Sequence, residues 1–100
     1  MEELKVPEIG VGEMAEEIIF DNVELKTVRY TFRGFSDGEG ATRAQEEGEW
    51  LSVLKGEITL VVGEKTVTLK NAQKTFIPSM TPYKIVNTSD PCMVLAVFHK

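Results

Sequence analysis

The sequence offers few of the side chains that usually carry metal or nucleophilic chemistry. Cys92 is the only cysteine and His99 the only histidine. A single thiol excludes an internal disulfide and a metal site made of several thiolates. The apolar residues that follow Cys92 predict a buried, inert thiol, and His99, next to the last residue, is expected to be exposed rather than a metal ligand. The groups left to carry chemistry are carboxylates, amides, phenols and guanidinium groups.

Composition narrows the class of protein. The 100 residues correspond to about one domain, and a hydrophobic share of 42% with a charged share of 27% predicts a folded globular chain rather than a disordered one. A formal net charge of −5, without a run of basic residues, argues against a nucleic-acid partner. No apolar run reaches the ~18 residues that span a bilayer, and the acidic N-terminus lacks the apolar region of a signal peptide. We expect a cytoplasmic protein without a membrane partner.

The stretch from Glu49 to Gly63, EWLSVLKGEITLVVG, is the element around which we expect the chain to be arranged. Apolar and polar residues alternate along it and a glycine stands at each bend, which predicts strand, turn and strand. The alternation places Glu49 on the same strand face as Leu51 and Val53. A two-residue hairpin of type II′ at Gly63-Glu64 is expected to lead into the next strand.

The remaining segments predict further strands. Residues 13–20 fit a short strand or a turn and a half of helix, and we prefer the strand. The alternating segment 23–35 predicts a long strand. Strands are also expected in QKTFIP and YKIVN, separated by a loop with Pro78 and Pro82, and in CMVLAVFHK, which is apolar on both faces and therefore predicted to be buried on both. Eight or nine short strands without a long helix predict an all-β sandwich or barrel.

Two motifs resemble those of small single-domain cupins of the RmlC-like type, which are jelly-roll barrels, also called double-stranded β-helices. EWLSVLKG holds the second half of the first cupin motif, with Glu49, six residues and Gly56. IPSMTPYKIVN holds the frame of the second motif, with Pro78 and then Tyr83, three residues and Asn87. The resemblance covers most of the chain and implies a barrel whose interior is lined by Glu49 from one motif and by Tyr83 and Asn87 from the other.

Most of the metal-ligand positions of the two motifs hold other residues here, and Asp37 stands in place of the opening glycine of the first motif. The three positions at which the family has histidine are occupied by Arg43, Gln45 and Tyr83. A first-row metal in such a barrel needs neutral imidazoles beside a carboxylate, and a guanidinium has no lone pair to donate. The resemblance therefore implies a barrel without a metal or other cofactor, in which only Glu46 or Glu47 could add a donor to a weak oxygen site.

Three uses of this residue set remain open. In the first, Arg43 and Glu49 form an ion pair whose hydrogen bonds Gln45 and Tyr83 complete, which leaves a vestigial site. In the second, the same four residues bind a small polar or anionic molecule, such as a sugar or a carboxylic acid. In the third, implied by similarity to cupins that epimerise or isomerise sugars without a metal, Glu49 is the general base and Tyr83 the general acid. Here a nearby Arg43 is expected to lower the pKa of Glu49 and weaken it as a base.

The sequence also makes predictions about assembly. Residues 1–12 lack periodicity and are expected to form an extended N-terminal arm, followed by one barrel domain at residues 13–100. Trp50 and Leu54 lie on the strand face opposite Glu49 and would leave apolar surface in water. We expect a homodimer with Trp50 near its interface. The alternative is that the N-terminal arm of the same chain covers Trp50.

Overall fold

The described part of the chain forms eight strands in two antiparallel sheets. The structure is a computed structural model that describes residues 7–38, 40 and 42–100, and within these residues no helix is present. In chain order the strands are β1 (Met14–Asp21), β2 (Leu25–Phe32), β3 (Gly48–Lys55), β4 (Ile58–Val62), β5 (Lys65–Leu69), β6 (Lys74–Ile77), β7 (Tyr83–Thr88) and β8 (Cys92–His99). The segment 13–20 is thus a strand, as preferred, and the strand predicted at 23–35 is shorter at both ends.

The two sheets share one core. The larger sheet has the strand order β1-β2-β8-β3-β6 and the smaller one the order β5-β4-β7. Buried side chains of both sheets, among them Val28, Leu51, Leu60 and Val94, belong to the same apolar cluster. The predicted all-β jelly-roll arrangement is therefore confirmed. No helix in the described part of the chain is long and apolar enough to cross a membrane.

Strand β3 shows the predicted alternation. Glu49, Leu51 and Val53 are buried, whereas Trp50 and Leu54 are exposed on the opposite face. On strand β8 the inward residues Val94, Ala96 and Phe98 are buried, whereas Leu95 and Val97 on the outer face are only partly buried, so the predicted burial on both faces is found only in part. The hairpin from β4 to β5 is a two-residue turn in which Val62 pairs with Lys65, and a positive φ of 61° occurs only at its first residue, as a type II′ turn requires.

A bulge in β7 changes which of its residues face the core. The register of β4 and β7 shifts between two pairs, Leu60 with Ile85 and Thr59 with Asn87, so β7 carries one extra residue there. An extra residue reverses the alternation beyond it. Tyr83 and Ile85 face inward as predicted, but Asn87 is exposed and the next residue, Thr88, is buried. The prediction that Asn87 lines the interior is therefore wrong.

The segment before β1 is held against the end of β2. Gly12 donates its backbone N–H to the carbonyl of Arg33 over 2.5 Å, and the guanidinium of Arg33 donates to the carbonyl of Ile9 over 2.9 Å. These contacts fix residues 7–12 next to the larger sheet. The first six residues of the predicted arm lie outside the described range, and the boundary between arm and barrel stays a prediction.

Candidate functional site

A cavity of about 30 Å³ lies between the two sheets, beside the start of β3. Its polar wall consists of Tyr30, Arg43, Glu49 and Tyr83, and its apolar wall of Met14, Phe32, Leu51, Ile58, Leu60 and Ile85. Glu49 is buried, whereas Tyr30, Arg43 and Tyr83 are partly exposed, so these three form the mouth. A buried water needs about 10–15 Å³ measured in this way, so the cavity admits one polar group of a ligand, while the rest of a larger ligand must stay at the mouth.

Glu49 is the buried carboxyl group of the cavity. Glu49 is only 1% exposed, and its Oε1 accepts a hydrogen bond of 2.7 Å from Nε2 of Gln45. Burial raises the pKa of Glu49 from 4.5 to about 7, although the hydrogen bond from Gln45 and the charge of Arg43 act in the opposite direction. The prediction of a pKa lowered by Arg43 is therefore wrong, because the cost of burying the carboxylate exceeds both favourable contacts.

Arg43 pairs with Asp37 and not with Glu49. Its Nη2 lies 2.7 Å from Oδ1 of Asp37 and its Nε lies 3.1 Å from Oδ2, a two-pronged contact. The Asp37 side chain is 9% exposed and also accepts the backbone N–H of Ile85 over 2.9 Å. The hydrogen bond from Arg43 lowers the pKa of Asp37 and outweighs the effect of its burial. The predicted Arg43–Glu49 ion pair is therefore wrong, and sequence reasoning treated Asp37 only as a replaced glycine.

Two tyrosines complete the polar wall. Arg43 and Tyr83 exchange both backbone hydrogen bonds, of 2.7 and 2.8 Å, in a short bridge that sets both side chains at the mouth. Burial, together with the nearby charge of Glu49, raises the pKa of Tyr83 to about 12. Tyr30 is the residue that sequence reasoning missed; burial raises the pKa of its phenol as well. Its signal was present, since Tyr30 alternates with the inward Val28 of the same strand. Both phenols are protonated at neutral pH.

The predicted site residues are brought together around the cavity. Arg43, Glu49 and Tyr83 line it directly, and Gln45 contacts it through its hydrogen bond to Glu49. The remaining candidate carboxylates, Glu46 and Glu47, are not among the residues that line it. The arrangement can hold one proton on a buried carboxyl group, next to two neutral phenols and a guanidinium whose charge is balanced by Asp37.

This residue set does not suit a transition metal. The guanidinium of Arg43 has no lone pair to donate to a metal, and the phenol of Tyr83, with a pKa of about 12, is not an anionic donor at neutral pH. Among the described residues, Glu49 is the one carboxylate of the cavity wall, and its Oε1 already accepts a hydrogen bond from Gln45. In the ranges 7–38 and 42–100 no three His, Cys, Asp or Glu residues are grouped as metal ligands. We therefore derive no chemistry through a metal at this site.

The Asp37–Arg43 contact gives a stability prediction. Asp37→Asn removes the charge that balances a half-buried guanidinium and weakens the hydrogen bonds to Arg43, so we expect a loss of about 1–2 kcal/mol in the free energy of unfolding at pH 7. Chemical denaturation monitored by circular dichroism measures it.

Asp90→Asn is the matched control for this prediction. Asp90 makes a similar two-pronged contact with Arg33, but both side chains are more exposed than Asp37. Solvent screens exposed ion pairs, so the loss is expected to be smaller. Equal losses in the two variants would contradict a special role for the contact at the cavity mouth.

Comparisons with known proteins give a consistent result. A family model described as "Cupin domain" matches residues 35–98. A candidate mannose-6-phosphate isomerase from Ralstonia eutropha superposes with a TM-score of 0.88 at 18% identity, covering 95% of this chain and 91% of that chain. An RmlC-like cupin from Shewanella frigidimarina superposes with a TM-score of 0.77 at 20% identity, covering 95% of this chain and 82% of that chain. KdgF from Halomonas sp. superposes with a TM-score of 0.76 at 18% identity, covering 86% of this chain and 77% of that chain.

These similarities are informative about the fold. At 18% to 20% identity, the superpositions show a shared jelly roll and not a shared activity. No curated protein matches the sequence significantly. The resemblance predicted from the two motifs is confirmed by the family match, and the matched residues 35–98 include the whole set from Asp37 to Tyr83.

Proposed function

The chain belongs to the cupin-domain family, and from its cavity we propose that it binds a small polar molecule, of the sugar or carboxylic acid type, without a metal. The observation that carries this proposal is the buried carboxyl group of Glu49, which faces a cavity instead of being enclosed by the core. Burying an ionisable group costs free energy. A group retained at that cost inside a cavity is a common feature of binding and active sites.

The polar groups of the wall favour a hydroxyl or carbonyl group over a free anion. Asp37 already occupies Nε and Nη2 of Arg43 and balances its charge, which leaves little net attraction for a negative ligand. Tyr30 and Tyr83 are neutral donors or acceptors. Glu49 can donate a hydrogen bond through its O–H below its pKa of about 7, and it only accepts hydrogen bonds above it. A sugar hydroxyl group, or the hydroxyl group of a hydroxy acid, matches this set.

The proposal predicts how affinity changes with substitution. Among sugars and hydroxy acids titrated by calorimetry at pH 6, a ligand that binds is expected to lose about 5–10-fold in affinity with Tyr83→Phe, because one hydrogen bond of about 1 kcal/mol is removed. Glu49→Gln resembles the protonated carboxyl group, so its affinity is expected to stay constant between pH 6 and 8 while that of the wild type changes. Measured dissociation constants at both pH values decide this.

Glu46→Gln is the control, because it removes an exposed carboxylate that lies outside the cavity wall. Its affinity and its pH dependence are expected to follow those of the wild type. The proposal fails if no member of the panel binds, or if Tyr83→Phe and Glu46→Gln bind equally well.

A second candidate function is a metal-independent isomerase or epimerase. The pKa of Glu49, about 7, is the observation that favours it, since a general base works best near the operating pH. Tyr83 would then be the general acid on the opposite wall, and the name of the Ralstonia protein refers to a sugar-phosphate isomerase. For a substrate that is turned over, Glu49→Gln is expected to reduce kcat by about 10²–10⁴-fold while binding persists. Equal loss of binding and turnover would favour the simple binder.

A further inference from the structure

Asp37 lies outside the cavity wall, yet it controls the charge that Arg43 presents to a ligand. Arg43 lines the cavity and Asp37 does not. The guanidinium donates from Nε to Oδ2 of Asp37 over 3.1 Å and from Nη2 to Oδ1 over 2.7 Å, so this edge of the group is fully used. A ligand at the mouth therefore meets a guanidinium whose positive charge a neighbouring carboxylate already balances.

The carboxylate of Asp37 is fixed in this position. Its side chain is 9% exposed, and its Oδ2 also accepts the backbone N–H of Ile85 over 2.9 Å. The backbone N–H of Asp37 donates in turn to the carbonyl of Ile85 over 2.9 Å. A ligand carboxylate or phosphate that displaced Asp37 from Arg43 would leave a nearly buried charge without its counter-charge, which is costly. An anion therefore cannot take this edge of the guanidinium without that cost.

The other charges near the mouth do not make the site positive. Glu16 on β1 lies close enough to Tyr30, and Lys84 on β7 close enough to Asp37, to interact electrostatically, and these two charges have opposite signs. Glu49 becomes negative above its pKa of about 7. The charges of the described residues around the site therefore cancel while Glu49 is protonated and become negative once it ionises.

We propose that Asp37 is a specificity-determining residue, which neutralises Arg43 so that the site selects uncharged polyols, such as free sugars, against carboxylates and phosphates. This inference rests on the proposed binding function and narrows its ligand class. A sugar hydroxyl group needs only hydrogen bonds, which Tyr30, Tyr83 and Glu49 supply. An anion needs a net positive charge to offset its lost hydration, and the described residues around the site supply none.

Probes that differ in charge test the proposal. Glucose, galactose and mannose are each titrated into the wild type by calorimetry at pH 6, beside their 6-phosphates and their uronic acids. A free sugar that binds is expected to bind at least about tenfold more tightly than its two anionic forms. The ratio of the two affinities, rather than either affinity alone, is the quantity compared between variants.

Two substitutions are expected to shift this ratio in opposite directions. Asp37→Asn retains the shape and one acceptor oxygen of the side chain but leaves the charge of Arg43 unbalanced, so the anionic forms are expected to gain about tenfold relative to the free sugar. Arg43→Gln leaves Asp37 unbalanced and is expected to shift the ratio about as far the other way. The double variant is neutral again and is expected to return to within about threefold of the wild-type ratio. Destabilisation alone cannot produce opposite shifts.

The titration of Glu49 reports the same charge balance without a ligand. Its pKa, followed by NMR of the carboxyl carbon, is about 7 in the wild type. It is expected to fall in Asp37→Asn and to rise in Arg43→Gln, each by about half a pH unit, because the charge of Arg43 favours the ionised carboxylate. Asp90→Asn is the control, since it removes the carboxylate that pairs with Arg33 away from the cavity wall. It is expected to change neither the pKa nor the ratio.

The outcomes separate this inference from the binding function on which it rests. If no probe binds to the wild type or to any variant, the proposed function fails and the inference fails with it. If the wild type binds a sugar phosphate or a uronic acid as tightly as the free sugar, the binding function stands and the inference is overturned. A ratio that shifts in the same direction in both single variants, or in neither, also overturns it, as does an unchanged pKa of Glu49 in both. If Asp37→Asn does not fold, Arg43→Gln and the double variant decide.

Discussion

Between pH 5 and pH 8 the free energy of unfolding is expected to fall by about 2–3 kcal/mol, and Glu49→Gln is expected to abolish most of this fall. The pKa of Glu49 is raised from 4.5 to about 7 in the folded protein. In that interval the folded state holds a proton that the unfolded state has released, so each increase in pH favours unfolding. Below pH 4.5 and well above pH 7 both states carry the same charge at this residue, and its contribution to the slope disappears.

The measurement is chemical denaturation at pH 5, 6, 7 and 8 for the wild type, Glu49→Gln and the control Glu46→Gln. The three aspartates with lowered pKa values, Asp21, Asp37 and Asp90, stabilise the fold above their ordinary pKa of 3.8, and this stabilisation is lost only as the pH falls through their still lower folded values. They therefore act below the interval used. A flat wild-type profile, or the same slope in Glu49→Gln, would show that the carboxyl group of Glu49 is not buried in solution.

Gly56→Ala is expected to destabilise the protein by at least about 3 kcal/mol. Gly56 connects β3 to β4 with a φ of +89°, which is costly for any residue with a Cβ atom. A Cβ built there would lie 2.3 Å from Oγ of Ser89 and 2.5 Å from the carbonyl oxygen of Pro91. Ser89 Oγ accepts the N–H of Glu57 and donates to that same carbonyl, each over 2.9 Å, so neither atom can move without breaking a hydrogen bond.

Gly34→Ala separates the two contributions to this cost. Gly34 also has a positive φ, of +59°, but a Cβ built there meets no atom within 4 Å. Its expected loss is therefore the conformational cost alone, about 1–2 kcal/mol. Thermal and urea denaturation of both variants measure the difference. Equal losses would mean that the turn at Gly56 relaxes and that the close approach of Ser89 and Pro91 is not maintained.

The sequence was sufficient for the strands because their periodicity is local. Alternation along β3 places Glu49 inward and Trp50 outward, and the apolar sequence of β8 indicates its central position in the sheet. The bulge that turns Asn87 outward depends on how β7 pairs with β4, a contact between distant segments. No local pattern in YKIVN predicts this bulge.

The site was predicted less completely, because the ion-pair partner of Arg43 and the burial of Glu49 depend on the three-dimensional structure. The motif frame placed Arg43, Glu49 and Tyr83 around one cavity, but the partner of Arg43 is set by the path of the connection between β2 and β3, which brings Asp37 within reach. The pKa of Glu49 depends on the balance between its burial, which raises it, and its contacts with Gln45 and Arg43, which lower it. A sequence pattern shows neither the depth of burial nor these distances. The alternation predicted that Tyr30 faces inward. Its place in the cavity wall could not be predicted, because this wall also includes Met14 of the distant strand β1.

The hydrogen bonds that join the β2–β3 connection to β7 and to the loop before it have a consequence for the rate of ligand binding. Ile85 is bonded at both its N–H and its carbonyl to Asp37, Tyr83 is bonded at both to Arg43, and Met80 donates to the carbonyl of Gln45 over 2.7 Å. Polar groups at the mouth are thus fixed before a ligand arrives, and little conformational entropy is lost on docking. Uptake is expected to be a single, concentration-dependent step, without the slow phase that a closing lid would add.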